Sequence, residues 1–299
     1  MNKIRDLISE HLPAGPMDGL AVGVIDFKKS TFHVVEASSY EGEVFFHEDP
    51  FLWFDLASVT KPLTNSLSYF LRPDLFSSEM NLCLNHRGGL PSWGRLPHKG
   101  WREQILSYKV HEAGTLYSDF SALRVMLELE KKGVSQKELV SPVWDNELRF
   151  WKDVPSDSQI VQNGFLNRDE NFGVVHDPNA YVIDEFCSHA GLFATIKGIS
   201  QTLLNYQART DFISKMKSHD EHRFFCGWDR VMNPQDTLAG NGCGPHTFGH
   251  LGFTGTSVWI DPDKMIGHVI LSNTTKEHWY DKNNLNTLRR SVGKIIWES

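Results

Sequence analysis

Apolar residues follow two periods near each end of the chain. Ile4, Leu7, Ile8 and Leu12 share one face of an amphipathic helix, whose other faces carry Arg5, Asp6 and Glu10. Two strand-length runs follow, GLAVGVID at 19–26 and TFHVVEA at 31–37, and Phe27-Lys28-Lys29-Ser30 predicts the turn that makes them a hairpin. The far end mirrors this order. TSVWID at 256–261 and MIGHVILSN at 265–273 predict a second hairpin, and Leu285, Leu288, Val292, Ile295 and Ile296 predict a closing helix. Between the ends the signals are helical. ALRVMLELEKKG at 122–133 stops at Lys-Lys-Gly, as helices commonly do, and ISQTLLNYQA at 199–208 reads as another helix.

Successive hairpins argue against a doubly wound parallel sheet. The pattern predicts an α+β fold, an α/β sandwich plus a helical region. An antiparallel sheet is flanked by the N- and C-terminal helices and interrupted by a mainly α-helical insert. Residues 1–57 and 190–299 are assigned to the sheet domain and 58–189 to the helical region, with an active site in the cleft between them.

With 299 residues, 40% of them hydrophobic, the chain can bury a large core. The net charge of −7 comes with no basic block, which argues against a nucleic-acid partner. No apolar run reaches the length of a membrane span, so no membrane partner is expected. The first residues lack the apolar core and small-residue cleavage site of a signal peptide, so a cytoplasmic location is expected. Cys83, Cys187, Cys226 and Cys243 are widely spaced and expected to be reduced and buried. A zinc site from Cys226, Cys243, His246 and His250 is disfavoured, because the Gly- and Pro-rich stretch AGNGCGPHTFGH keeps the histidines off a common helix face. Neither metal nor cofactor is expected, and the oligomeric state is left open.

Candidate chemistry begins with Ser-x-x-Lys, which occurs at Ser58, Ser214 and Ser291. Only the Ser58 copy is embedded in apolar sequence, FLWFDLASVTKPL. Pro62 lacks an N–H and belongs in the first turn of a helix, so a helix is predicted to begin close to Ser58. That start exposes the Ser58 amide at the positive end of the helix dipole, and Lys61 falls on the same face as Ser58. A residue before proline disfavours the α region, so either Lys61 accepts it or the first turn is irregular. Tyr117-Ser118-Asp119 follows a turn and opens a helix, with Ser118 or Asp119 as cap. His-x-Gly occurs at His86, His98, His189 and His250, and only His250 leads into the predicted strands. A nucleophile, two proton carriers and an electrostatic helper are the parts of an acyl-transfer site.

Taken in order, the segments resemble the penicillin-recognising serine hydrolases: class C β-lactamases, D,D-peptidases among the penicillin-binding proteins, and β-lactamase-like esterases. FDLASVTKPL resembles the nucleophile motif, LCLNHRGGLPSW the segment LLTHTSGLP, and GTLYSDFSAL the Tyr-x-Asn element. GVVHDPNA and SHAGLFAT resemble a signature of esterase-like members, and FGHLGFTGTSVWIDP the stretch carrying a Lys-Thr-Gly or His-Thr-Gly triad. The resemblance covers nearly the whole chain and implies a β-lactamase/transpeptidase-like fold. It implies that Ser58 forms an acyl-enzyme, that Lys61 and Tyr117 manage the proton, and that His250 polarises the tyrosine and the substrate. It places the amides of Ser58 and Phe253 in an oxyanion hole. Asp119, Gly252, Asp177 and His189 are expected to line the site, and Asp177 with His189 has the alternative reading of a buried pair bracing a loop.

Three departures bear on function. Asp119 replaces the usual Asn and should favour a charged Lys61, moving the burden of base to Tyr117. Leu251 replaces the Thr of the triad, removing a hydroxyl that could bind a substrate carboxylate. The segment between Lys61 and Leu84 is shorter than is usual. These readings favour a serine hydrolase, an esterase or amidase acting on a small ester or amide. The alternatives are a β-lactamase or D,D-carboxypeptidase acting on cell-wall peptides, and a non-catalytic binding module with this fold.

Overall fold

The computed structural model describes residues 1–163, 173–217, 222–276 and 282–298. Strands β1 (Gly19–Asp26), β2 (Thr31–Tyr40) and β3 (Glu43–His47) form a meander. Strands β4 (Phe54–Asp55), β5 (Leu148–Phe150) and β6 (Leu192–Ala194) form a small sheet in the order β4-β6-β5. Strands β7 (Phe224–Phe225), β8 (Trp228–Arg230), β9 (Phe248–Leu251), β10 (Ser257–Asp261) and β11 (Ile266–Ser272) complete the large antiparallel sheet. Its order is β3-β2-β1-β11-β10-β9-β8-β7. The two halves of the chain meet where β1 pairs with β11, with Leu20 opposite Ser272 and Ile25 opposite Gly267.

Both faces of the central strands are apolar because both are covered. Leu20 and Val22 of β1, Trp259 of β10 and Ile270 of β11 point to one side. There they meet Ile4, Ile8 and Leu12 from the N-terminal helix and its end, and Leu285, Leu288, Val292 and Ile296 of the C-terminal helix (Asn283–Trp297). Ala21, Ile25, Val258, Ile260, Val269 and Leu271 alternate to the other side, against Ile196, Ile199 and Leu203 of the helix Ile196–Thr210. A third core surrounds the helix Asp119–Lys131, whose Phe120, Leu123 and Leu127 pack with Met80, Leu84, Trp101 and Ile105. The fold is therefore the mixed helix and antiparallel-sheet class that the periodicity predicts.

Three details add to the sequence reading. The second strand runs on to Tyr40. The small sheet joins segments from both sides of the boundaries at 57 and 190, since β5 lies inside the insert while β4 and β6 lie outside it. The helix after Ser58 is irregular: a 3-10 turn (Ala57–Val59), a π-helical turn (Pro62–Ser66) and only then α-helix (Leu67–Leu71). Lys61 does accept the α region, at φ −56° and ψ −51°, and Pro62 denies the next turn its regular hydrogen bond. All four cysteines are buried, and none of them is in a disulfide. Among the described residues no helix is long and apolar enough to cross a membrane.

Candidate active site

Ser58 sits on a turn held from three directions. The Asp55 carboxylate accepts the Ala57 N–H at 2.8 Å through one oxygen and the His176 N–H at 2.7 Å through the other. Thr254 Oγ1 donates to the Asp55 carbonyl at 2.6 Å, and Thr256 Oγ1 to the Leu56 carbonyl at 2.9 Å. Ala57 is left at φ +46°, a conformation a non-glycine residue keeps only when its surroundings impose it. The same two threonines hold the 252–256 loop against this turn. Gly252 is required there: a Cβ would lie 1.9 Å from Thr256 Oγ1 and 2.5 Å from the Leu56 carbonyl oxygen.

Lys61 Nζ donates to Ser58 Oγ at 2.9 Å and to the His189 carbonyl at 2.9 Å, and it pairs with Asp119 Oδ1 at 2.7 Å. Three oxygens thus surround a buried ammonium that has three protons to give. Burial alone would favour the neutral amine. The Asp119 carboxylate overrides it, and the ammonium is held above its ordinary value. Tyr117 is half-buried, and its buried hydroxyl lies beside Ser58 and Lys61 without a well-formed hydrogen bond. Burial pushes the phenol up; Lys61 opposes this, and Asp119 adds to it. In the resting site Lys61 is therefore charged and Tyr117 is neutral.

His250, on β9, is neutral as well. Burial and then the Lys61 charge press its imidazole down to about 3. Its Nδ1–H donates to the Leu251 carbonyl at 2.8 Å, which leaves Nε2 as a buried lone pair with no hydrogen-bond partner. Its ring lies 5.8 Å from that of Tyr117. At the position expected to polarise the tyrosine and the substrate, His250 thus presents a neutral acceptor.

A cavity of about 390 Å³ opens on this cluster. Ser58, Tyr117, His250, Gly252 and Phe253 line it, with Phe253 exposed at the rim. Lys61, Asp119, Asp177 and His189 are not among its lining residues. Asp177 caps the helix Pro178–Ile183 through the Ala180 N–H at 2.8 Å and binds His189 Nε2 at 2.9 Å. Burial opposes both charges. His189 nevertheless draws the Asp177 carboxyl down to about 2, while Cys187 and Asp177 hold the imidazole up at about 10. The charged pair ties Asp177 to the segment whose carbonyl receives Lys61.

The far wall of the cavity carries residues that the sequence reading missed. Arg289 is 2% exposed; it donates to the Thr256 carbonyl at 2.7 Å and to Asn286 at 3.1 Å, and its Nε is buried without a hydrogen-bond partner. Lys282 donates to the Phe253 carbonyl and lies 4.0 Å from the centre of the Phe253 ring. Among the described residues neither is paired with a carboxylate. Burial, and for Lys282 also the neighbouring Arg289, presses them down to about 9 and about 7. The sequence did hold one signal: Arg289 lies between Leu285 and Val292 on the apolar stripe of the last helix, where an unpaired arginine has no structural reason to be. Leu251 supplies no hydroxyl for a substrate carboxylate, but this wall supplies two cations.

The Beta-lactamase family model matches residues 140–291, just over half of the chain. Ser58, Lys61 and Tyr117 precede that stretch and His250 lies within it. A protein of Escherichia coli O157:H7, provisionally named a D-alanyl-D-alanine carboxypeptidase, is 35% identical over 121 residues, covering 34% of this chain. The matched stretch spans 27% of that relative's length. The fold is shared with a class C beta-lactamase from Rhodobacter sphaeroides, at TM-score 0.66 and 16% identity over 99% of both chains. It is shared also with the D-alanine carboxypeptidase AmpC from Burkholderia cenocepacia, at TM-score 0.68 and 14% identity, over 98% of this chain and 99% of that one.

Proposed function

Because this chain belongs to the Beta-lactamase family, whose members are serine hydrolases, we propose that it hydrolyses a small ester or amide through an acyl-enzyme on Ser58. The observation that carries this reading is the 2.9 Å contact of Lys61 Nζ with Ser58 Oγ, at the wall of an open cavity. A charged Lys61 and a neutral Tyr117 leave no free base beside the serine. The route that needs none is a concerted one. Ser58 Oγ attacks the carbonyl carbon and passes its proton to the Tyr117 oxygen, while Tyr117 hands its own proton to the departing oxygen or nitrogen. The Lys61 ammonium stabilises charge developing on Oγ, and the amides of Ser58 and Phe253 receive the carbonyl oxygen. Water then attacks the acyl group by the same path in reverse, returning a proton to Ser58.

Intact-protein mass after brief exposure to p-nitrophenyl butyrate tests this. A transient butyryl adduct on the wild type, absent from Ser58→Ala, with nitrophenol released beyond one equivalent, is the expected result. An equal rate of release from Ser58→Ala would end the reading. Failure of a series of acyl donors to label the wild type would move it to a binding module.

A second reading, a peptidase acting on a substrate with a free carboxylate, is favoured by the unpaired cations Arg289 and Lys282. The carboxypeptidase names of the Escherichia coli relative and the Burkholderia cenocepacia structure accord with it. An acyl-D-alanyl-D-alanine peptide compared with its C-terminal amide decides between the readings. Faster turnover of the free acid supports the peptidase, and indifference supports the small ester or amide.

A further inference from the structure

His86 belongs to the LCLNHRGGLPSW segment, and the proposed chemistry gives it no part. It is 4% exposed and held at φ +55°. Its backbone carbonyl accepts the Leu116 N–H at 2.9 Å, and its Nδ1 accepts the Ser118 N–H at 3.1 Å. Its ring lies 4.7 Å from the Tyr117 ring, tilted by 48°. One residue therefore accepts the backbone N–H of the residue before Tyr117 and of the residue after it, and packs against the ring between them. The same segment continues the grip: the Pro91 carbonyl accepts Ser118 Oγ at 2.6 Å, and the Ser92 carbonyl accepts the Asp119 N–H at 2.9 Å.

The geometry points to His86 as a positioning residue that sets where the Tyr117 hydroxyl stands relative to Ser58, an inference that rests on the proposed role of Tyr117. The Tyr117 hydroxyl has no well-formed hydrogen bond of its own to locate it, so its place is decided by its ring and its backbone. His86 bears on both. Because Nδ1 accepts from a backbone N–H, the neutral ring carries its proton on Nε2. Burial, reinforced by the Lys61 charge, keeps the imidazole neutral, which preserves the acceptor. Tyr117 thus stands between two neutral histidines, His86 at 4.7 Å and His250 at 5.8 Å. A relay through one hydroxyl needs this placement, since a misplacement of about 1 Å costs about 100-fold in rate.

The test is a double-mutant cycle read as the rate of Ser58 acylation by p-nitrophenyl butyrate. His86→Phe keeps a ring and removes the acceptor. His86→Asn keeps an acceptor at the Nδ1 position, and asparagine tolerates a left-handed backbone. His86→Phe is expected to slow acylation about 10- to 100-fold with KM unchanged, and His86→Asn to slow it less. In Tyr117→Phe the same His86 substitutions should have no further effect, a non-additivity that a purely structural role would not produce. Acylation by His86→Phe at the wild-type rate, or losses that multiply in the double mutant, would overturn the inference. If melting shows that His86→Phe does not fold, the cycle with His86→Asn decides by the same criterion. A wild type whose labelling is unaffected by Tyr117→Phe would instead mean that the tyrosine reading has failed.

Discussion

Asp119 Oδ1 lies 2.7 Å from Lys61 Nζ, so the residue at the end of Tyr-Ser-Asp sets the charge of the residue at the end of Ser-Val-Thr-Lys. A carboxylate here raises the Lys61 ammonium against its burial and adds to the rise of Tyr117. Each group becomes a base only above its own pKa, so both act as bases only at high pH. Asp119→Asn removes the carboxylate at nearly constant shape. The alkaline limb of kcat/KM for p-nitrophenyl butyrate should move down by about one pH unit or more, from the loss of one opposite charge at contact distance. A pH–rate profile that does not move would show that Asp119 has no hold on the proton carriers.

The buried Asp177–His189 pair makes a prediction about stability. Its two members face each other at 2.9 Å, with His189 wholly buried. Asp177→Ala leaves His189 without its partner and is expected to cost about 3–5 kcal/mol at neutral pH, the usual price of breaking a buried pair. The sign with pH follows from the histidine. Its folded pKa is raised, to about 10, so its contribution is fully present below the ordinary histidine value of 6.5 and is lost as pH rises through about 10. The gap between wild type and variant in urea unfolding should therefore narrow at high pH. A gap that stays constant would mean that packing, not charge, holds this segment.

Gly252 tests the loop beside the nucleophile. In Gly252→Ala the new methyl group would stand 1.9 Å from Thr256 Oγ1, so the Thr256 hydrogen bond to Leu56 must break or the loop must move. Overpacking of this kind costs about 1–3 kcal/mol. The displaced Phe253 amide should cost about 100-fold in acylation rate. Thermal melting and the mass-based acylation assay read the two effects separately. A variant that acylates at the wild-type rate would remove the 252–253 peptide from the catalytic proposal.

On the peptidase reading, Lys282 would make recognition of the substrate carboxylate depend on pH. Burial, helped by Arg289, brings its ammonium down to about 7, so its charge is present below that pH and lost above it. Arg289, at about 9, keeps its charge further. The preference for an acidic ester over its methyl ester, as a ratio of kcat/KM, should fall as pH rises through about 7. Lys282→Met should start lower and lose that step. A wild-type preference that is flat across this range would place the substrate's anionic group away from Lys282.

Local rules made much of this molecule legible. A two-residue period marks both hairpins, and a heptad-like spacing marks the terminal helices, because each pattern reports which faces are covered. Ser58 and Lys61 are brought together by a spacing of three along one turn, so their contact needs no distant partner. Ser118 caps its helix from the motif that names it, accepting the Ser121 N–H at 2.9 Å. Strands of two or three residues such as β4, β6 and β8 carry too few positions to show a period, and the small sheet is assembled from three distant segments. The charge of Lys61 could be read from Asp119 in Tyr-Ser-Asp, but the states of His250 and Arg289 were illegible for a related reason. His250 is neutral because β9 is buried beside Lys61, and Arg289 is unpaired because the last helix turns it toward the cavity. Desolvation depends on everything packed around a group, so only tertiary structure decided that His250 rests neutral and that Arg289 and Lys282 face the cavity unpaired.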